Sequence, residues 1–513
     1  MKALKYMMVL FLVGLNGCSD VIDLYPTSNI STATYYSNYE EVKTALVGCY
    51  RGLQKPLLEE WKMSELRSDN SIMGAYGSTS SVNYDLSFLD EFYPSSSHQG
   101  IYNYWLNTYN NIRSVNLVLD ALKANYNPST GKIEYENAVV PVTEADRKNL
   151  AAEASFLRAY HYFNLVRLYG GVFLVHEALS PAEAKKLNRS SVADIYKLIE
   201  ADLVNASANA KSAKFGAITP TDIGLANMWS SKALLAKVYL TLNRKAEAAV
   251  LLNDVVANSG YGLEGSYANI FSITNEMSKE ILFTIRFKAG GLGMGNTLPN
   301  LFAPLNSGSA VINGDGSGNN TPSQELNNSY AATDLRKAVN IGVYGTGTRA
   351  VLYVKKYISV VAIAKDAEND WPVIRYSDVL LMLAEANGNT PASMALVNQV
   401  HVRAGLTPLP TTVSTAVYEK AVADERRWEL AFENQRFFDL LRLNTTSTTL
   451  KAEQILSDHF AVMYPLHYTL YPEPKLTLEQ IQANADSDHM LLPIPQYEID
   501  TNSFITIPQN SGY

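Results

Sequence analysis

The chain has 513 residues, 47% of them hydrophobic, and a formal net charge of −8. That length can bury a large core without covalent cross-links, and the acidic balance argues against nucleic acid, whose binding needs a concentrated basic face. Two cysteines exclude a disulfide framework, and beyond the N-terminus no run of about 18 apolar residues offers a membrane-spanning helix.

Lys2 and Lys5 precede an apolar run over 6–15, followed by Leu15-Asn16-Gly17-Cys18. A short cationic stretch before about ten apolar residues is a secretory signal, too short to cross a bilayer. Its ending resembles a bacterial lipobox, so residues 1–17 are expected to be a lipoprotein signal peptide, with Cys18 lipidated as the first mature residue. Acyl chains there supply a membrane anchor. Residues 1–17 carry two lysines and no acid, so removing them takes the net charge from −8 to −10. Cys49 is then the only free thiol, and residues 18–513 are read as a single α-helical domain.

Four helix pairs follow from apolar spacing. The first joins 40–53 with 102–122. The second opens at Thr143, an N-cap with Asp146 three residues on, ends at Gly170-Gly171, and pairs with 192–204. In the third, Leu235, Val238, Tyr239 and Leu242 make one face, and Ala248, Leu251, Leu252 and Val255 repeat it after Asn243-Arg244. Small Ala236 and Ala248 let these two helices approach, as in a tetratricopeptide unit. The fourth joins 375–387 with 391–403, where Pro391 suits a first helical turn. Between the third and fourth pairs, 279–287 alternates like a short strand.

Two segments resist periodic reading, 68–100 and 288–349, both rich in Ser, Gly and Asn. Loops this long are functional or disordered in compact domains. The first carries Tyr76, Tyr84, Phe88, Phe92 and Tyr93 among polar residues, and tyrosine offers a flat apolar face with a hydroxyl. Tyr76, Tyr84 and Tyr93 are therefore the candidate ligand-stacking residues, with Asn83, Asp85 and Asn103 available to sugar hydroxyls. The phenylalanines are expected to anchor the segment to the helices.

No catalytic constellation emerges. The acids of ADERRWELAFENQRFFDLLR (423–442) alternate with arginines along one amphipathic stretch, which favours ion-paired helix packing over acid/base chemistry. Glu425, Glu429 and Glu433 fall four apart on one side. Asp315 begins a calcium-like loop, but Asn320 and Leu326 stand where Gly and Glu are needed, so no metal is expected. Gly290–Gly295 lacks the Rossmann spacing, and the seven histidines show no zinc-binding pattern. No cofactor is implied.

Together, 423–442, EASFLRAYHYFNLVRLYGGVFLVH (153–176), RYSDVLLMLAEANG (375–388) and the closing LLPIPQYEIDTNSFITIPQNSGY (491–513) resemble signature blocks of the SusD/RagB family. Asn434 stands where that family usually has Gly, and Phe173 where it tends to have Pro. The resemblance implies a mostly α-helical fold on tetratricopeptide-like repeats with long irregular loop insertions. It implies a non-enzymatic lipoprotein on the outer face of the outer membrane, capturing an oligosaccharide for a SusC-like TonB-dependent transporter. Two alternatives stay open: an oligopeptide ligand, as in RagB-like members, and a tetratricopeptide scaffold that holds only protein.

Overall fold

The computed structural model describes residues 35–74, 84–470 and 475–513, with only the backbone described at Tyr84 and Leu470. Helix α1 (Tyr39–Gly52) starts at Asn38, whose side chain accepts from Glu41 N, and buries Val42, Leu46 and Cys49. A separate α2 (Gln54–Met63) follows directly; Pro56 is tolerated because N–H groups in a first turn have no intrahelical acceptor. Strand β1 (Ser71–Gly74) and α3 (Tyr84–Asp90) lie within the first of the two segments read as loop. Leu86 and Leu89 are both buried at helical spacing, which is why 84–90 coils where a loop was expected.

Helix α4 (Gln99–Ala121) packs on both α1 and α2. After the hairpin β2 (Ala124–Asn127) and β3 (Lys132–Tyr135), α5 (Glu144–Tyr169) begins as expected: Thr143 accepts from Asp146 N. It ends at Gly170, whose φ of +69° suits glycine. The chain then stacks α6 (Val192–Asn209) on α5, α7 (Met228–Thr241) on α6, and α8 (Lys245–Asn258) on α7. Ala236 and Ala248 are fully buried, and Asn243 makes the α7–α8 turn at φ +57°.

Strand β4 (Ile281–Ile285) realises the expected strand. It pairs antiparallel with β8 (Trp371–Arg375), after β5 (Asn319–Pro322) and the hairpin β6 (Ile341–Tyr344) and β7 (Val351–Val354). Helices α9 (Tyr376–Asn387) and α10 (Pro391–Arg403) form the last expected pair, with α9 resting on α8. Stacked helix pairs of this kind make a quasi-one-dimensional repeat scaffold. The chain closes through α11 (Thr415–Glu429), α12 (Arg436–Thr446) and α13 (Ala452–Met463). The main apolar core draws on residues from Val42 to Ile507, with small clusters beside it around Ile312 and around Tyr267.

The block 423–442 is not one continuous helix. It breaks between α11 and α12, with Phe432 at φ +64° and Asn434 at φ +59°. Asn tolerates that left-handed backbone where Gly would be free of cost. Its charges are buried ion pairs; Arg426–Asp439 and Arg442–Asp439 close within the block, and most of the other partners come from elsewhere in the chain. Arg375 reaches Glu280 at 2.7 Å, Glu429 at 2.8 Å and Glu433 at 2.8 Å. Arg336 reaches Glu425 at 2.6 Å, and Arg426 reaches Asp378 and Asp439 at 2.8 Å each. Burial alone would raise the Glu429 carboxyl, but Arg403, Arg375 and Arg336 outweigh it and hold it well below the usual range.

Arg436 grips Asp69 through Nε at 2.7 Å and Nη2 at 2.8 Å, both groups almost wholly buried. Removing one partner of a buried pair strands the other in low dielectric. Arg436→Ala is therefore expected to lower unfolding stability by about 3–5 kcal/mol. Urea denaturation measures it, and an unchanged midpoint and slope would refute a structural role for this pair.

Candidate functional site

The two segments that resist periodic reading meet in one place. Segment 65–70 is buried throughout, held against the α11–α12 turn. Glu65 accepts from Phe432 N at 2.8 Å, from Asn434 N at 3.1 Å and from the Asn70 side chain at 3.0 Å. From that clamp the chain enters β1, which pairs antiparallel with β5: Ser71 faces Pro322, Ile72 faces Thr321, and Gly74 faces Asn319. Ser323 continues the contact, its N–H donating to Asn70 O and its hydroxyl to Asp69 O.

Leading into β5, segment 298–318 is held by side chains bonded to backbone. Asn300 donates to Asn313 O and Asp315 O at 2.8 Å each and accepts from Lys365 N at 3.0 Å. Asp315 accepts from Gly308 N at 2.9 Å and Gly316 N at 2.7 Å. These bonds hold its carboxyl below the usual range, that from Gly308 most of all. A Cβ at Gly316 would stand 2.1 Å from Ala303 O, so only glycine lets the strands of this loop touch. Asn306, Asp315 and Asn320 all have left-handed φ, between 53° and 65°. Such strain concentrates where surrounding structure fixes a functional surface. Asn320 is fully buried, and neither polar atom of its side chain finds a partner among the described residues.

The β6–β7 hairpin lies beside β5 and presents two tyrosines. Tyr344 donates its hydroxyl to Asn306 O at 3.3 Å. Tyr353 sits across from Gly342, and its ring fills the space a Cβ there would need, 2.2 Å away. One ring face is thus seated on a glycine, while both side chains stay half-buried. A flat ring with one face fixed and part of its surface open can stack on the apolar face of a sugar or another ring.

Of the residues singled out from sequence, Cys18, Tyr76 and Asn83 and the side chain of Tyr84 lie outside the described residues. Asp85 is exposed on α3, and its carbonyl lies 2.8 Å from His98 Nε2. Tyr93 is half-buried, edge-on to Phe88 at 5.0 Å, and burial followed by nearby Glu91 pushes its hydroxyl up to about 12. Asn103 accepts from Gln99 on the surface of α4. Phe92 anchors the segment as expected: it is buried against Phe437 and Phe460, with the Arg67 guanidinium over its ring at 4.9 Å. Tyr344 and Tyr353 were missed by sequence reasoning, although IGVY and VLYV flanking a Gly-Thr-Gly turn carry a hairpin signal. Among the described residues no cluster of acids, histidines or cysteines could hold a metal, and no helix is long and apolar enough to cross a membrane.

Two family models match the chain: one described as the SusD family over residues 337–513, the other as starch-binding associating with outer membrane over 23–240. The chain belongs to the SusD/RagB family. SusD-like protein P25 of Formosa agariphila is 25% identical, covering 97% of this chain and 96% of that one. SusD-like protein P2 of the same organism is 24% identical over the full length of both. Among solved structures, a laminarin binding SusD-like protein superposes with a TM-score of 0.74 at 25% identity, covering 93% of this chain and 100% of that one. Surface glycan-binding protein A from Bacteroides thetaiotaomicron, in complex with laminarihexaose, gives 0.71 at 21% identity over 92% and 99%. The helical scaffold is thus the family's own.

The clamp under this SusD-like face also sets a pH dependence. Burial pushes the Glu65 carboxyl up to about 7 against bonds from Asn70 and Phe432, and Glu60 up to about 7 against Arg167. Burial and then Asp90 push Glu91 up to about 8. A carboxyl raised on folding keeps a proton that the unfolded chain has already released, so stability falls as pH rises through the folded value. Buried His161 and His467 are lowered from 6.5, so above that pH they are neutral in both states and do not oppose the fall. The melting temperature is therefore expected to decline between about pH 6.5 and 8, and less steeply in Glu65→Gln. A melting temperature that climbs across this window in scanning calorimetry would overturn the assignment.

Proposed function

We propose that this SusD-like chain is a glycan-binding lipoprotein that captures oligosaccharide at the outer surface and passes it to a TonB-dependent transporter. The observation that carries the reading is the tyrosine pair on the β6–β7 hairpin, with Tyr353 seated on Gly342 beside the left-handed Asn306 and Asp315 turns. Ring faces take the apolar faces of sugars, and the neighbouring amide and carbonyl groups take hydroxyls. Tyr93 and Asp85, with Tyr76, Asn83 and Tyr84 from the adjoining segment, complete the proposed contact set. Support also comes from relatives whose names specify laminarin or glycan binding. Binding here needs no covalent step: Asp315 is engaged by two backbone N–H groups and stands apart from the opposed carboxylates that glycosidases use.

Tyr344→Ala and Tyr353→Ala should each weaken binding by about 0.5–1.5 kcal/mol or more, the scale of an aromatic contact beyond its area. The measurement is calorimetric titration with the tightest binder from a panel of neutral and acidic oligosaccharides, beside thermal melts; Tyr93→Ala is a third arm. Wild-type affinity in all three variants would move the site elsewhere. A wild type that binds no glycan, yet captures peptides from an equivalent panel, would replace the reading with an oligopeptide one.

Anchoring is tested separately. Cys18→Ala should release the protein from membranes, since the acyl chains are its proposed apolar anchor. Metabolic labelling with a palmitate analogue reads it out. Unlabelled wild type with unchanged membrane retention of the variant would defeat the lipoprotein assignment.

A further inference from the structure

A cleft apart from the tyrosine face lies where α1, α2 and α4 meet the loop after β4. It encloses about 670 Å³, within the usual range for small-ligand sites. Asn107, Asn110 and Ser114 line it from α4, three and four residues apart and so on one face. Facing them are three cations, Arg51, Lys55 and Lys365.

The charge of this cleft runs against that of the chain, which is −8 overall. Among the described residues Arg51 donates only to a backbone carbonyl, Gly293 O at 3.4 Å. Among the described residues no carboxylate pairs with Arg51, Lys55 or Lys365, whereas cations as near in sequence as Lys62 and Lys356 are paired. Asp366 is the one acid in the lining, and its carboxylate is taken by Gly290 N and Gly291 N at 2.8 Å each. The loop closes on it so tightly that a Cβ at Gly295 would stand 1.9 Å from Asp366 Oδ1.

Lys365 itself has φ of +63°, a conformation costly for a side chain with a Cβ, and Asn300 Oδ1 holds it there through Lys365 N. The same Asn300 braces the 313–315 turn of the tyrosine face through Asn313 O and Asp315 O. A lysine kept where glycine would be unstrained is a side chain placed for its charge.

We propose that this cleft is a second saccharide subsite, taking the anionic substituents of an acidic oligosaccharide, whether sulfate ester or uronate carboxylate. Arg51, Lys55 and Lys365 meet the anionic groups, and Asn107, Asn110 and Ser114 meet hydroxyls. The inference rests on the glycan-binding reading and names the charge class of the glycan.

The test uses the full-length protein in detergent, titrated calorimetrically with sulfated dextran oligomer, oligogalacturonate and neutral dextran oligomer of matched size. Wild type is expected to bind one acidic probe roughly tenfold or more tighter than the neutral one, the scale of a charged hydrogen bond. The tighter of the two acidic probes identifies sulfate or carboxylate as the group recognised. The triple variant Arg51→Gln, Lys55→Gln, Lys365→Gly should lose that margin. A control that removes the same charge from exposed Lys132, Lys185 and Lys186 should keep it. Lys365→Gly alone, which relieves backbone strain, carries the test if the triple variant melts early. Equal binding of acidic and neutral probes by wild type, a cleft variant that keeps the margin, or a control that loses it would each overturn the proposal. If Tyr353→Ala weakens glycan binding while the cleft variant changes nothing, the subsite falls and the proposed function stands.

Discussion

Asp69 is the point on which the candidate binding face depends. Its carboxylate takes Arg436 and Arg427, residues more than 350 positions away that belong to the last helices of the scaffold. Burial would raise this carboxyl, but Arg427 and Arg436 outweigh burial and hold it well below the usual range. An apolar contact would accept several ways of laying segment 65–70 against α11 and α12. Forked arginine–carboxylate geometry accepts one. Buried ion pairs are weak sources of net stability, because desolvation offsets most of the attraction. Their contribution here is placement: two residues after Asp69 the chain enters β1, and β1 pairs with β5.

The scaffold was legible because its signals are local. Thr143 and Asp146 sit three residues apart, Gly170 closes the same helix, and Ala236 and Ala248 mark a close approach that depends only on side-chain size. The block 423–442 misled where partners are remote. Glu429 and Glu433 sit four apart, as in a single helix, yet their cations include Arg375 and Lys356, brought in by β8 and the segment before it. Periodicity cannot see a partner that only the tertiary fold supplies; the left-handed backbone at Asn434 was legible from the glycine the resemblance places there, whereas that at Phe432 was not.

The site was harder to read for the same reason in stronger form. Strands β1 and β5 have four residues each and are bridged by contacts such as Ser323 to Asp69, 254 positions apart. A four-residue strand has too few alternations to register against a Gly- and Ser-rich background. Tyrosines in the first segment stood out because their neighbours are polar. Tyr353 did not, since its partner is an absence: the missing Cβ of Gly342. Such cross-strand pairs stabilise a sheet edge and orient the ring together, but only pairing register reveals them.

Charge separates the parts of this molecule that hold shape from the cleft proposed to take a ligand. In the interior, Arg158, Arg336, Arg375 and Arg426 each meet carboxylates at hydrogen-bond distance. A cation left unpaired there would cost several kcal/mol, roughly the loss seen when one member of a buried pair is removed. At the cleft beside α1 and α4 that constraint is lifted, because Arg51, Lys55 and Lys365 are exposed and water can solvate them. Sequence alone shows both kinds of residue as a basic side chain among polar neighbours. The distinction is burial and partner together, and it converts a common residue type into a positional signal. Fold likeness to other SusD-like chains rests on the first kind. The proposed ligand choice rests on the second, since function lives in the side chains a scaffold carries and not in the scaffold itself.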